Sequence, residues 1–362
     1  MDIIVTITGS FIEQLQKPTL AFLIAGMLLA AFGSRFEVPD PVYKFIVVLL
    51  LLKVGLGAGI SIRDADVMAL MVPASGAALV GVAIVVLGSQ TLTRWRGVSQ
   101  VDGLATAGLF GAVSASTLAA GMAVLDDSGI AYEGFIGALY PFMDIAALVT
   151  AIMMAKLAAA RRVPVAATAG SSGTIGVGGG QDHCMFPDTS GNVNLVRGIL
   201  VDTCRSPAIS ALLAGLALGV LSQPDMVYKS FYEPLFRGLL SVLMLIMGME
   251  AWSRLSELRK VAHAYIVYGI TAPIIHGLIG FAVGMVAHQM TGFSAGGVVL
   301  LAVMAASSSD ISGPPTLRAA LPEANPSAYV GTSTGLGTPV AILSIPLFIA
   351  LAELFIGGSF PQ

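Results

Sequence analysis

An apolar run that opens at Val298–Met304 is interrupted by Ala305–Leu317, Ala-Ala-Ser-Ser-Ser-Asp-Ile-Ser-Gly-Pro-Pro-Thr-Leu, before Arg318. No single membrane helix carries that insert. Pro314 and Pro315 lack backbone donors, so an unbroken helix cannot pass through them. Proline does suit the first turn of a new helix, and Ser312 just before is a good N-cap. The run therefore reads as a half-helix, an unwound stretch, and a second half-helix starting near Pro314. Irregular backbone at membrane depth survives only where protein buries it or a cavity is lined by it. Asp310 inside the gap costs several kcal/mol unless it is partnered, which marks it as a functional candidate.

A partner string lies in the first half of the chain. Gly108–Gly121, Gly-Leu-Phe-Gly-Ala-Val-Ser-Ala-Ser-Thr-Leu-Ala-Ala-Gly, is also apolar with small polar residues at its centre. Ser116-Thr117-Leu118-Ala119-Ala120 compares with Pro315-Thr316-Leu317-Arg318-Ala319 at an offset of 199. Interrupted spans at corresponding positions of two halves are the best sequence pointer to a transporter binding site.

Only 11% of residues are charged, and the mean hydropathy is +0.87. Soluble domains carry about 25% charged residues, so a polytopic membrane protein is expected. Ten spans of roughly bilayer length are expected, near 14–33, 42–60, 66–90, 101–124, 134–158, 205–222, 229–250, 261–289, 294–320 and 333–357. Between the fifth and sixth, Arg161–Asn194 is the one long polar connection. Its glycine and serine content predicts a flexible linker, with 161–200 separating two units, 1–160 and 201–362. Within it, Gln181–Asp188 reads as a disordered loop or a regulatory dock. No cleavable signal is expected, since Met1–Gln16 holds Asp2 and Glu13 and lacks a basic start. No metal spacing surrounds Cys184 and Cys204, and no basic cluster suggests nucleic acid.

The two units look related. Pro18–Gly26 resembles Pro207–Gly215 at an offset of 189, and Gly57–Arg63 matches Gly248–Arg254 at 191. Each unit holds an odd number of spans, so the second lies upside down relative to the first. Lysine and arginine set the orientation. With the linker cytoplasmic, thirteen lie at the inside ends, from Arg35 to Arg318. Four lie outside (Lys17, Arg63, Lys229 and Arg237), and Lys53 falls within span two. Both termini are then periplasmic.

Two inverted broken helices bring two half-helix N-termini toward the midplane, each with free N–H groups and a positive dipole end. Together they suit a small anion without a buried lysine or arginine. Gly111, Ala112, Ser114, Ser116 and Thr117 on one side and Ser312, Gly313 and Thr316 on the other supply hydroxyls and close backbone access. Asp310 needs a cation, and Ser307, Ser308 and Ser309 with freed carbonyls make a hard-oxygen cage that suits Na⁺. A proton on Asp310, or a purely structural Asp310, are the competing readings. Asp144 in Tyr140-Pro-Phe-Met-Asp144 could support the site. Thr332–Pro339, including Thr338, supplies further cation ligands or only close helix packing. Glu250 reads as the partner of Arg254, four residues on. Lys53 either snorkels or pairs with a carboxylate. His276 reads as a helix-contact residue, and the methionines as core filling. No cofactor is expected beyond Na⁺ as coupling ion.

Three strings carry a family resemblance: Ala305–Leu317 continuing to Glu323–Tyr329, Tyr140–Asp144, and Phe236-Arg-Gly-Leu-Leu with Met249–Arg254. They resemble the SbtA-type sodium-dependent bicarbonate transporters of cyanobacteria. The resemblance implies Na⁺/bicarbonate symport into the cell across the inner membrane, in support of inorganic carbon concentration. It implies a homotrimer of ten-span protomers working as elevator-type carriers, with lipid around it. It also implies a PII-like regulator, SbtB, docking on the cytoplasmic face. The family's binding region falls on Gly111–Thr117 and Ser307–Thr316. By analogy with inverted-repeat carriers, spans 1, 2, 6 and 7 form a scaffold and spans 3–5 and 8–10 a moving core. The rival classes are an intramembrane aspartyl protease using Asp144 and Asp310 as a dyad, an anion channel, and a Na⁺-coupled carrier of another small anion or carboxylate. The absence of a buried arginine weighs against a carboxylate substrate.

Overall fold

The computed structural model describes residues 18–160 and 207–357 apart from 37, 64–66 and 259–262, together with 197, 198, 201, 204 and 205. The linker expected over 161–194, with Cys184 in it, lies outside the described residues. The described residues form an all-helical bundle: α1 (Pro18–Ala31), α2 (Asp40–Arg63), α3 (Val67–Thr91), α4 (Gln100–Gly111), α5 (Ala115–Asp127), α6 (Leu139–Ala160), α7 (Pro207–Leu221), α8 (Glu233–Leu258), α9 (His263–Thr291), α10 (Ala295–Ala306), α11 (Gly313–Ala320), α12 (Pro326–Thr332), α13 (Thr338–Leu343) and α14 (Ile345–Ile356). Among them, seven helical stretches are long and apolar enough to cross a membrane, and α1, α7 and α10 are shorter apolar helices. The protein is a multi-pass membrane protein.

Four helices pack as two close pairs, α1 with α8 and α2 with α7. Glycines let them touch backbone to backbone. A methyl group at Gly219 would come within 2.6 Å of the Leu56 carbonyl oxygen, and Gly26 and Gly248 face the carbonyls of Leu245 and Leu23 just as closely. Small residues at such crossings are the membrane solution to helix association, because apolar burial drives little of it in lipid. Gly248→Val forces its side chain onto the Leu23 carbonyl. It is expected to destabilise the protein by about 3 kcal/mol, as overpacking does. An unchanged melting temperature in detergent would show that the pair can separate freely.

The remaining helices surround two interrupted crossings, α4–α5 and α10–α11. Both first halves are 12 residues long. Both start from a serine cap: Ser99 Oγ accepts from the Asp102 N–H and Ser294 Oγ from the Gly297 N–H. Each start is also tied to the loop beyond the other crossing. The Glu133 carboxylate accepts from the Ser294 N–H (2.6 Å) and hydroxyl (2.8 Å), and Asp102 Oδ1 accepts from the Asn325 N–H at 2.7 Å. The helices flanking the crossings, α3 and α9, carry internal prolines at Pro73 and Pro273. All of α10, α4 from Gly103 and α5 to Leu125 are buried. The opened backbone is itself buried at 112–114 and 307–309, which meets the condition for irregular backbone at membrane depth.

Candidate functional site

The helix breaks fall at Ala112–Ser114 and Ser307–Ser312. Ala112 and Ser307, the C-caps of α4 and α10, both turn to extended backbone. Extended residues leave the last helical carbonyls and the next N–H groups without intrahelical partners. The two gaps supply partners to each other. The Ser114 N–H donates to Ser307 Oγ (3.0 Å), and the Ser309 N–H donates to the Leu109 carbonyl (2.8 Å). The sequence expectation that the two broken spans pack together at their interruptions is what the geometry shows.

At the start of α5, Ser114 Oγ accepts from the Thr117 N–H and lies 2.8 Å from Ser116 Oγ. The Ser116 hydroxyl donates to Asp310 Oδ2 at 2.7 Å. Asp310 is therefore held by the first turn of the opposite half-helix. None of its three serine neighbours supplies that bond. Ser307 donates to the Met304 carbonyl. Ser308 donates to the Ser333 carbonyl (3.1 Å) and lies 3.3 Å from Thr338 Oγ1. Ser309 Oγ accepts from the Gly313 N–H. Ser309 thus caps α11, and Ser312, though at the N-cap position, makes no side-chain cap bond. The expected oxygen cage is split between two neighbourhoods. One is Asp310 with Ser116. The other is Ser308 with Thr338 and a π-helical turn at Ser333–Gly337. In that turn the Thr338 N–H reaches back to the Ser333 carbonyl, the wide hydrogen-bonding step that often marks functional sites.

Ser312 serves Asp144. Its hydroxyl donates to Asp144 Oδ2 at 3.2 Å, while Asp144 Oδ1 accepts from the Val113 N–H at 3.2 Å. One fully buried carboxylate on α6 thereby bonds to both gaps. Tyr140, one turn earlier on α6, lies 3.4 Å from Ser312 Oγ. Asp144 and Asp310 stand within electrostatic reach of each other, and so do Asp310 and Glu250 of α8. Among the described residues neither Asp144 nor Asp310 has an ion pair. Their bonding partners are hydroxyls and amides, hard and uncharged.

The remaining expected residues sort by where their atoms go. Thr117 Oγ1 is buried without a hydrogen-bond partner among the described residues, at the N-terminus of α5. Thr316 donates back to the Ser312 carbonyl on its own helix. At two of the expected glycines a side chain would meet protein. A methyl at Gly111 would lie 2.9 Å from the Gly81 carbonyl and from Ala147, and one at Gly313 would crowd Leu109 and Ser309. His276 is buried edge-on to Phe110 and Tyr268, with Nδ1 lacking a hydrogen-bond partner among the described residues. Lys53 is buried with its ammonium 4.2 Å from the centre of the Phe236 ring. The side chain of Arg254, expected beside Glu250, lies outside the described residues. Sequence reasoning had Tyr140 and Ser333 within its Tyr140–Asp144 and Thr332–Pro339 strings but gave neither a role of its own. Tyr140 could have been found as the residue one helical turn before Asp144.

No curated protein matches the chain. A family model described as the Na⁺-dependent bicarbonate transporter superfamily matches residues 18–353, a stretch that includes both breaks and both carboxylates. The chain belongs to the Na⁺-dependent bicarbonate transporter superfamily.

Proposed function

We propose that the protein is a sodium-coupled symporter that carries bicarbonate into the cell across the inner membrane and so supports inorganic carbon concentration. The observation that carries this reading is the pair Asp310 and Asp144 at two interlocked helix breaks, bonded only to hydroxyls and amides. A carboxylate without a cationic side chain, fully buried for Asp144 and part-buried for Asp310, is a costly arrangement unless a cation joins it. Hydroxyl, carboxylate and carbonyl oxygens match Na⁺, and the Ser308–Ser333–Thr338 oxygens offer neutral ligands of the same kind. The N-termini of α5 and α11 point positive dipole ends at the same region, which favours an anion beside the cation. Binding either ion then strengthens the site for the other, which is the thermodynamic basis of coupling.

The architecture we propose has ten spans in two inverted repeats, with α1, α2, α7 and α8 as scaffold and the broken crossings in a moving core. It is supported by the equivalent α1–α8 and α2–α7 pairs, the equal first halves α4 and α10, and Pro73 and Pro273 in the flanking helices. Trimer formation, docking of SbtB on the cytoplasmic face, a cytoplasmic linker and periplasmic termini remain parts of the proposal that rest on the family and on charge distribution. An aspartyl dyad fits less well, since Asp144 and Asp310 have separate hydrogen-bond partners.

The test is uptake of radiolabelled bicarbonate into proteoliposomes holding the purified protein, with and without an inward Na⁺ gradient. Accumulation that requires Na⁺ and is not displaced by formate or acetate is expected. Flux indifferent to Na⁺ would move the reading to a channel. Strong competition by small carboxylates would move it to a carrier of another anion.

A further inference from the structure

Half-helix α5 has the candidate anion site at its N-terminus and Asp126 and Asp127 at its C-terminus. Two acids there oppose the helix dipole, whose negative end already lies at that terminus. Their neighbours explain them. Arg237 of α8 approaches Asp127 Oδ1 with Nη1 at 3.2 Å, and the Tyr132 hydroxyl donates to Asp126 Oδ1 at 3.0 Å. Lys53 of α2 lies under the rings of Phe236 (4.2 Å) and Tyr228 (5.7 Å). It is attracted electrostatically by Asp126 and by Glu233, and Arg237 repels it. A buried ammonium at membrane depth is expensive, and aromatic faces with nearby carboxylates offset that cost. The cations sit on α2 and α8, and the aspartates end the crossing helix. The contact therefore joins two groups of helices.

We propose that Lys53 and Arg237 are positioning residues of the transport cycle. Arg237 holds the acidic end of α5 against α8 through Asp127, Lys53 packs under the ring of Phe236 beside it, and through the 13-residue helix they place the site at its other end. The inference rests on the scaffold-and-core reading above: when the core moves, this contact must part. A single exposed ion pair contributes little, and Arg237 is two-thirds exposed. Charge reversal is therefore the discriminating change. Arg237→Glu would add a carboxylate to Asp126, Asp127 and Glu233.

The experiment compares wild type, Arg237→Glu, Asp127→Arg and the double exchange, together with Lys53→Arg and Lys53→Met. Each is reconstituted for Na⁺-driven bicarbonate uptake and also melted in detergent. Each single reversal is expected to lower the maximal uptake rate about tenfold, within the range of contact couplings, with KM changed less. The double exchange is expected to recover most of the rate, and Lys53→Arg to retain what Lys53→Met loses. A double exchange no better than the worse single variant overturns the proposal, as do equal losses in the two Lys53 variants. Should the wild type not transport bicarbonate, the melting temperatures still decide. Recovery of stability in the double exchange supports the contact, and additive losses overturn it.

Discussion

Asp310→Asn is expected to reduce Na⁺-driven bicarbonate uptake by roughly 100-fold, equivalent to about 2.7 kcal/mol. The substitution keeps the shape of the side chain and an oxygen that accepts from the Ser116 hydroxyl, now 2.7 Å from Asp310 Oδ2. It removes the charge and turns the second oxygen into an NH2 donor. If Asp310 served to tie the two breaks together, asparagine would do so nearly as well, and uptake would survive. If the charge holds Na⁺, coupling is lost while folding is spared. Initial uptake rates and the Na⁺ concentration for half-maximal rate separate the two outcomes. Full Na⁺-driven uptake in the variant would send the cation elsewhere, with Asp144 and the Ser308–Ser333–Thr338 oxygens next. Uptake driven by a pH gradient without Na⁺ in the wild type would replace the sodium ion by a proton.

Asp144→Leu acts on a different quantity. It leaves the buried Val113 N–H without its acceptor, while the Ser312 hydroxyl can turn to Ser309 Oγ at 3.0 Å. An unsatisfied buried donor costs about 1–3 kcal/mol. With that one donor orphaned, a loss of about 2–3 kcal/mol is expected, seen as a fall in melting temperature of roughly 5 °C together with loss of uptake. Asp144→Asn can still accept from Val113 and exchange a hydrogen bond with Ser312, so it is expected to melt close to wild type. Were Asp144→Leu as stable as wild type, the carboxylate would not be the fastening between the breaks. A stable Asp144→Asn variant that lacks Na⁺-driven uptake would add this charge to the cation site.

The membrane class, the helix order and both breaks were legible in the sequence because they depend on local chemistry. Apolar length sets a span, and Pro314 and Pro315 prevent a continuous helix whatever surrounds them. The sequence expectation placed the second break at the serine–proline insert, and helix α11 starts one residue before Pro314. Likewise, Asp310 was recognisable because an acid in an apolar segment demands a partner. Which partner it has was not legible. Ser116 lies 194 residues away, and three nearer serines turn to Met304, Ser333 and Gly313.

Asp144 shows the same division. Its place early in a span was visible, but its two bonds to Val113 and Ser312 join residues 31 and 168 positions apart. Such contacts follow from how three helices cross, which no spacing within one segment encodes. Gly111 and Gly313 were legible as points of close approach, but which groups approach the space of their missing side chains, Gly81, Ala147, Leu109 and Ser309, was not. By itself the sequence determined what had to be apolar, where helices had to stop, and which acid needed a counterpart. Only the tertiary structure decided which hydroxyl, amide or carbonyl answers each freed group, because burial makes that choice collective: every donor taken by one break is lost to the other.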